Sequence, residues 1–255
     1  MIENNDSKNF LTSAIIFIGS GGSGKTSLIY LIHKLFIKKN ITHILINFDP
    51  SVKFLPFIPN LDIRDTVNYE RTKKNFNLGP NSAILTSLNL FVTKINQLFE
   101  ICNQFNTLLK YFICDTPGQI EVFLWSVSGY IIINLLKFFF KVCIIYMIDM
   151  KQCHSLKFLM VNLLIATTIS YRLKSKFLII WNKNDENNQD YYNYYSNHIA
   201  KFTYYDENNL DYLFETYEVF MDIYSENALK MFMLSYMSTI STTGLNEFLS
   251  FIESS

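Results

Sequence analysis

The sequence has few arginines and no net charge. Arg64, Arg71 and Arg172 are its only arginines, and 22 basic residues balance 22 acidic residues over 255 positions. Proteins that hold nucleic acid gather Lys and Arg against the phosphates, and arginine makes the commonest specific contact to bases. The composition excludes a strongly basic protein, and direct binding of nucleic acid is therefore not predicted.

Cysteine is also scarce, and its spacing carries no metal signature. Cys102, Cys114, Cys143 and Cys153 lie apart in the sequence, with no C-x-x-C pair among them. Zinc sites and disulfide frameworks need paired or regularly spaced cysteines. We therefore expect reduced thiols and no cysteine-based metal centre.

No long apolar run is free of charge. The most apolar stretch, 131–150, contains Lys137 and Lys141, and each lysine would cost about 2.5–3.5 kcal/mol at the centre of a bilayer. The first residues, MIENNDSKNF, lack the basic start and apolar core of a signal peptide. The sequence therefore predicts a cytoplasmic protein that does not contact a membrane.

What the sequence does contain is an alternation of short apolar runs and helical periods. Strands followed by helices indicate an α/β fold, with a mostly parallel sheet flanked by helices. The predicted strands are 14–18, 41–49, 110–115, 142–148, 177–181 and 231–239. The predicted helices are 26–38, 83–105, 156–173, 217–229 and 245–252. We expect a single domain over 1–255 that carries two insertions, 50–82, which has little periodicity, and 186–230.

A phosphate-loop sequence lies between the first predicted strand and helix. The segment Gly19-Ser20-Gly21-Gly22-Ser23-Gly24-Lys25-Thr26 matches G-x-x-x-x-G-K-[ST], and its position distinguishes it from a chance Gly-rich turn. Glycines let successive N–H groups point at one anion, and a helix N-terminus adds positive charge. Lys25 is predicted to bridge the terminal phosphates, and Thr26 to ligate Mg²⁺.

The second motif is Asp115-Thr116-Pro117-Gly118, which begins on the last residue of the predicted strand 110–115. A carboxylate at the carboxyl end of a parallel strand lies toward the ligand crevice, and carboxylate oxygen is a preferred ligand of Mg²⁺. We expect Asp115 to hold the ion together with Thr26. Gly118 leaves room for the backbone to approach the terminal phosphate.

The third motif, Asn182-Lys183-Asn184-Asp185, follows the predicted strand 177–181 and matches N-K-x-D. Asp185 can accept hydrogen bonds from N1 and N2 of guanine, which adenine lacks, and an unpaired buried carboxylate discriminates strongly. Ser238 and Thr239 are candidates for backbone contacts to the base. The ligand is therefore predicted to be GTP or GDP, although N-K-x-D by itself would also arise by chance in an Asn-rich segment.

A further tripeptide, Gly79-Pro80-Asn81, is one that a phosphate-loop core does not need. Pro80 fixes its own φ near about −65° and biases Gly79 away from helix, so a pre-set turn is predicted, in which the Asn81 side chain offers both a donor and an acceptor. With the other motifs in this order, the chain resembles the GPN-loop GTPases. The stretches NFDP, DIRDT and TSLNLF, at 47–50, 62–66 and 86–91, carry the same resemblance.

The resemblance implies a P-loop NTPase fold with lid helices in 186–230, acting as a dimeric switch. In that family the GPN loop of one subunit reaches the active site of the other, in a homodimer or in a heterodimer with a paralogous GPN-loop GTPase. The resemblance implies catalytic roles for Asp49 and Asn81, and places Gln119 and Glu121 beside the attacking water. It further implies RNA polymerase II subunits as partners, in polymerase assembly and nuclear import, with shuttling to the nucleus.

Alternatives remain open for one residue and for the function. Arg64 is either an arginine finger or the partner of Asp62 and Asp65 in a salt bridge, which the flanking carboxylates favour. A nucleotide-bound scaffold that hydrolyses slowly or not at all is an alternative function, against which the intact phosphate-loop residues count. A metalloenzyme-assembly GTPase would be expected to carry a Cys/His cluster, which the sequence lacks.

Overall fold

The computed structural model describes residues 12–105, 109–149, 156–184 and 230–235. The chain divides into two compact units, Met1–Ile144 and Ile145–Ser255. The predicted helices 217–229 and 245–252 lie outside the described residues, as does the lid-like insertion 186–230 except for its last residue. The single domain over 1–255 stays a prediction.

The described part of the first unit contains parallel strands whose carboxyl ends share one edge. These strands are β1 (Ser13–Gly19), β2 (His43–Asn47), β3 (Leu61–Asp62) and β4 (Tyr111–Asp115). Their order in space is β3-β2-β4-β1, and each neighbouring pair is parallel. In this register Phe17 and Asn47 both stand beside Asp115. The segments that follow the strands therefore meet at the same edge.

Helices cover these strands because their apolar residues recur at helical spacing. On α1, the buried residues Leu28, Ile32 and Phe36 are each four positions apart, and Phe36 stacks on Tyr111 of β4 with ring centroids 4.9 Å apart. The helices described in the first unit are α1 (Lys25–Lys38), α2 (Ile63–Thr66), α3 (Tyr69–Asn75), α4 (Pro80–Val92), α5 (Ile95–Phe105), α6 (Ile120–Leu124) and α7 (Val127–Phe139). The insertion 50–82 thus contains β3, α2, α3 and the start of α4.

The prediction of one helix over 83–105 is wrong, because the chain turns between α4 and α5. The hydroxyl of Thr93 donates to the carbonyl of Leu90 at 2.6 Å, and the Lys94 amide donates to the Phe91 carbonyl at 2.9 Å. A turn with i to i+3 contacts advances the chain by about three residues, which is close to one turn of α-helix. The apolar residues therefore keep their spacing across the break. The spacing alone therefore could not reveal the turn.

The second unit has the same strand and helix alternation. Its described elements are β5 (Lys141–Asp149), which begins in the first unit, α8 (Leu156–Leu173), β6 (Lys176–Asn184) and β7 (Lys230–Ser235). Strands β6 and β7 pair in parallel. The Tyr146 hydroxyl of β5 donates to the side chain of Asn162 on α8 at 2.9 Å, and its ring stacks on Phe177 of β6. Both α8 and β6 therefore contact this one side chain.

The predicted fold class, a parallel sheet flanked by helices, is confirmed. All the predicted strands have counterparts in the structure, and the helices 26–38 and 156–173 agree with α1 and α8 to within one residue. Among the described helices, none combines the length and apolar character that a membrane span needs.

Candidate nucleotide-binding site

The phosphate-loop sequence forms a turn between β1 and α1, as predicted. Gly22 and Gly24 have φ of 79° and 94°, a left-handed region in which residues with a Cβ are strained. The Ser23 amide donates to the Ser20 carbonyl at 3.1 Å, which closes the turn. The first turn of α1 therefore begins directly after the loop, and the first amide groups of a helix have no partner within the helix itself.

Lys25 is the buried cation of this loop. Its Nζ donates to the carbonyls of Gly19 at 2.8 Å and Ser20 at 3.0 Å. Burial lowers the pKa of Lys25, while the nearby charges of Asp115 and Asp49 act in the opposite direction. A buried ammonium held by neutral carbonyls is suited to exchange them for phosphate oxygens, which carry full negative charge.

Asp115 lies at the end of β4 and contacts the first turn of α1. The Thr26 hydroxyl donates to Asp115 Oδ2 at 2.6 Å, and the other carboxylate oxygen, Oδ1, is buried without a hydrogen-bond partner. Burial raises the pKa of Asp115 to about 6, against the opposing effects of the Thr26 hydroxyl and Lys25. An unpaired buried carboxylate oxygen beside a hydroxyl fits Mg²⁺, which takes oxygen ligands. Thr26 and Asp115 are therefore the residues that would hold the ion.

The turn after Asp115 packs directly on the phosphate loop. A Cβ on Gly118 would lie 2.8 Å from the Gly21 Cα and 3.1 Å from the Gly21 amide nitrogen, so this close approach requires glycine. The Thr116 hydroxyl anchors the turn to β1 by donating to the Phe17 carbonyl at 2.6 Å. The turn after Asp115 and the phosphate loop therefore pack backbone against backbone.

Two of the predicted catalytic residues follow this turn. Gln119 is the N-cap of α6, and its side-chain oxygen is buried without a hydrogen-bond partner. Glu121 lies in the first turn of α6 and is exposed. The structure therefore offers a free acceptor at Gln119, whereas Glu121 points to no partner among the described residues.

Asp49 follows β2 and lies near enough to Lys25 for its charge to act on the ammonium. Its Oδ1 accepts hydrogen bonds from the amide and hydroxyl of Ser51, at 2.8 and 2.6 Å. Arg64 makes a salt bridge with Asp62, with Nη2 2.5 Å from Oδ2. The salt-bridge alternative for Arg64 is thus the one that the structure shows, with Asp62 as its partner.

The tripeptide Gly79-Pro80-Asn81 begins a helix, so the prediction of a turn is wrong, although Gly79 itself is non-helical as predicted. Gly79 is the N-cap of α4 with an extended backbone, and Pro80 is the first helical residue. The ring of proline pre-sets a helical φ, and its missing N–H would be unpaired at this position in any case. Asn81 is exposed in the first turn, and no hydrogen bond joins it to the phosphate loop within the described chain.

In the second unit, Asn182 and Lys183 lie at the end of β6, where the pairing with β7 shifts between Trp181 and Asn184. Lys183 has a left-handed φ of 61°, and its Nζ contacts Asp149 Oδ2 at 2.6 Å. A left-handed backbone is uncommon outside glycine and often marks a constrained functional turn. The other predicted base-contacting residues, Asp185, Ser238 and Thr239, lie outside the described residues.

Sequence reasoning missed Asn47 and Asp62 as parts of this site. Asn47 is fully buried and bonds to the backbone of Asp49 and to Asp62. Both residues lie in stretches that carry the family resemblance, NFDP and DIRDT. The position of Asn47 two residues before a predicted functional aspartate was a further signal, because an Asn side chain often bonds to the backbone two residues on.

Comparison with known proteins identifies the family. A family model described as "conserved hypothetical ATP binding protein" matches residues 17–255. GPN-loop GTPase 1 of Dictyostelium discoideum is 45% identical over 174 residues, which are 68% of this chain and 44% of that protein. The chain belongs to the GPN-loop GTPase family. GPN-loop GTPase 1 of Saccharomyces cerevisiae is 40% identical over 173 residues, 68% of this chain and 45% of that protein.

A solved structure of a GPN-loop GTPase shares the fold of this chain. The apo crystal structure of PAB0955, a GTPase of Pyrococcus abyssi, has a TM-score of 0.77 at 22% identity and covers 94% of this chain and 96% of that chain. At this identity the likeness shows the fold alone. The matched region is slightly less than half the length of the curated relatives, so their activities and partners enter below as proposals.

Replacement of Asp115 by asparagine is expected to have opposite effects on stability and on binding. Because the pKa of Asp115 is raised from 3.8 to about 6, its ionised form destabilises the ligand-free protein, increasingly as the pH rises from about 4 through about 6. Asp115→Asn removes this cost of about 2–3 kcal/mol at about pH 8 but also removes the carboxylate that is expected to bind Mg²⁺.

Urea unfolding of the ligand-free protein at about pH 8 and about pH 5 tests the stability effect. Asp115→Asn should unfold at higher urea than the wild type at the higher pH, with a smaller difference at the lower pH. Binding of nucleotide should lose its dependence on Mg²⁺. Asp65→Asn, which neutralises an exposed carboxylate, is the control. A variant less stable than the wild type at about pH 8 would contradict the conclusion that burial of the ionised Asp115 destabilises the ligand-free protein.

Proposed function

We propose that this chain binds guanine nucleotide with Mg²⁺ and hydrolyses GTP to GDP and phosphate. The observation that carries the proposal is the meeting of Lys25 and the Thr26–Asp115 pair on one face of the phosphate loop, with an unpaired buried carboxylate oxygen beside them. The names of its relatives in the GPN-loop GTPase family support the same activity. A phosphate chain would pair with Lys25, and a divalent ion would be bound by Thr26 and Asp115. Both ligands together are needed to satisfy these groups.

Hydrolysis requires that water be held in line with the terminal phosphate. The free side-chain oxygen of Gln119 can accept a hydrogen bond from that water, and its amide group can donate one to a phosphate oxygen. Mg²⁺ bound by Thr26 and Asp115 would neutralise charge on the β- and γ-phosphates. Lys25 would bind the same phosphates, and Glu121, being exposed, has room to contact the water or a second subunit.

Base selection is proposed to depend on Asp185. A carboxylate pairs with N1 and N2 of guanine but is left unpaired by adenine, so GTP should displace a labelled nucleotide at much lower concentration than ATP. Asp185→Asn should weaken GTP binding and gain affinity for xanthosine triphosphate, which has an oxygen in place of the 2-amino group. Competition binding with the three nucleotides measures this, and Asp190→Asn in the same segment is the matched control. A wild type that prefers ATP would refute guanine selection.

Release of phosphate from GTP tests the activity itself. The wild type should release phosphate in a Mg²⁺-dependent manner, and Gln119→Ala should slow the release at least about tenfold while binding GDP normally. Binding of GTP with no phosphate release above the buffer rate would instead favour the nucleotide-bound scaffold.

We also propose that two GTPase subunits share each active site, in a homodimer or with a paralogous GPN-loop GTPase. The exposed amide of Asn81 offers both a donor and an acceptor, and it lies on a rigid helix start that Pro80 pre-orders. An outward polar group with no partner in its own described chain is suited to a water or phosphate of another subunit. Resemblance to the family supports this arrangement.

Mixing two inactive variants tests the shared site. Asn81→Ala and Gln119→Ala should each turn over slowly, yet an equal mixture should regain about a quarter of the wild-type rate, since half the dimers are mixed and each contains one complete site. Asn89→Ala, on an exposed position of the same helix, should stay active by itself. No recovery in a mixture shown by light scattering to contain dimers would reject the shared site.

The cellular role is proposed from the family resemblance alone. It comprises binding of RNA polymerase II subunits, polymerase assembly and nuclear import, by a cytoplasmic protein that shuttles to the nucleus. Depletion of the chain should then leave RNA polymerase II subunits in the cytoplasm. Normal nuclear polymerase after depletion would reject the role without affecting the proposed chemistry.

A further inference from the structure

The backbone of Asp49 is fixed by one buried side chain. Asn47 has no exposed surface, and its Oδ1 accepts from the Asp49 amide at 3.0 Å while its Nδ2 donates to the Asp49 carbonyl at 3.1 Å. One amide group thus holds both polar backbone groups of the residue two positions on. Because the allowed side-chain rotamers depend on the backbone, fixing the backbone of Asp49 limits the directions in which its own side chain can point.

Asn47 is held in turn by the neighbouring strand. Asn47 and Asp62 are directly paired between β2 and β3, and Asn47 Nδ2 also donates to Asp62 Oδ1 at 2.9 Å. Burial raises the pKa of Asp62, but the hydrogen bonds from Arg64 and Asn47 together lower it by more. The pKa of Asp62 therefore lies below its usual value. Asp62 is therefore ionised at neutral pH and is a strong acceptor for the Asn47 amide.

Arg64 connects this pair to the segment beyond Asp49. Its Nε lies 3.0 Å from both oxygens of Asp62, and its Nη1 donates to the Val52 carbonyl at 3.1 Å and more weakly to the Lys53 carbonyl at 3.4 Å. The guanidinium is thus occupied within its own chain, which argues against its use as an arginine finger. Asn47 holds the start of the segment 49–53, and Arg64 holds its end.

We propose that Asn47, Asp62 and Arg64 form a brace that positions Asp49 at the phosphates, with Asn47 as the positioning residue in direct contact. The inference rests on the proposed GTPase function and extends it, because Asn47 lies beside Asp115 in the sheet, yet within the described chain none of the three side chains hydrogen-bonds to the phosphate loop or to Asp115. Asp49 is the group acted upon, and its charge already acts on Lys25. Loosening the brace should leave the phosphate loop intact and disorient Asp49.

Arg64→Lys is the main test, because it keeps the charge but cannot reproduce the planar fork that bonds Asp62 and the Val52 carbonyl together. Arg71→Lys is the matched control, since Arg71 is exposed on α3 and its side chain has no hydrogen bond or ion pair with the described residues. Asn47→Ala is the second variant and removes the contact with Asp49 directly. Circular dichroism and melting identify any variant that fails to fold.

The first readout does not depend on activity. Lys53 is exposed, so trypsin can cleave after it, and its susceptibility reports how firmly 49–53 is held. In the full chain, Arg64→Lys and folded Asn47→Ala should raise the rate of cleavage after Lys53 at least about fivefold over the wild type, as followed by mass spectrometry. Arg71→Lys should not. Equal cleavage in all variants would overturn the brace.

The second readout separates positioning from a merely structural role. Arg64→Lys should lower kcat for GTP at least about fivefold while leaving GDP affinity within about threefold, because only Asp49 is displaced. Faster cleavage with unchanged kcat would overturn the positioning of Asp49 and leave the brace as a loop clamp. If the wild type hydrolyses no GTP, the proposed function fails, and the trypsin result still decides whether the brace exists.

Discussion

Replacement of Lys25 by alanine is expected to abolish tight nucleotide binding, with a loss of at least about 100-fold in affinity for GDP and GTP. Lys25 is the buried cation of the phosphate loop, and its Nζ already lies within hydrogen-bond distance of two loop carbonyls. A charge-assisted bond contributes about twice as much as a neutral one, and Lys25 is placed to make more than one with the phosphates. Asp115 and Asp49 would also repel the phosphates once their neutralising charge is gone.

Titration calorimetry with GDP and with a GTP analogue measures the effect. Lys38→Ala is the control, because Lys38 lies exposed at the last turn of the same helix and leaves the loop unchanged. Thr26→Ala should differ from both variants by losing mainly the Mg²⁺-dependent part of the affinity. A Lys25→Ala protein that binds GTP within about threefold of the wild type would show that this loop is not the phosphate site.

Replacement of Gly129 by alanine is expected to unfold the first unit, or to destabilise it by about 3 kcal/mol or more. A Cβ at this position would lie 1.8 Å from the carbonyl oxygen of Phe123 and 3.2 Å from the Ser126 hydroxyl. Gly129 is buried in the first turn of α7, and its amide is held by that hydroxyl at 3.0 Å. The backbone cannot easily yield, because the Phe123 ring is buried and stacks on Phe48.

The midpoint of urea unfolding, followed by circular dichroism, measures this change. Gly21→Ala is the matched control, because a Cβ there would meet no atom within 4 Å, and its stability should stay within about 0.5 kcal/mol of the wild type. A Gly129→Ala protein with a wild-type midpoint would mean that α6 and α7 can separate at little cost. The stacking of Phe123 on Phe48 would then contribute little to the position of the loop after β2.

Most of the phosphate site was predictable from the sequence, because its parts are short and locally constrained. The glycines of residues 19–24 predict a phosphate loop, and an apolar run followed by Asp115 predicts a strand with a carboxylate at its end. The start of α4 was misjudged, since Pro80 serves a turn and a helix start equally well. The break at Thr93 was missed because the apolar spacing continues across it.

By itself, the sequence determined the family, the α/β order and the position of the phosphate-loop and Asp115 motifs at strand ends, since these depend on backbone freedom, apolar period and motif spacing. Only the tertiary structure decided that Asn47, Asp62 and Arg64 act on Asp49, and that Gly118 and Gly129 face backbone atoms of other segments. These contacts join residues from different strands, helices and turns. Which residues meet depends on the register of β2 with β3 and on how closely two turns pack. No local sequence pattern specifies either of these.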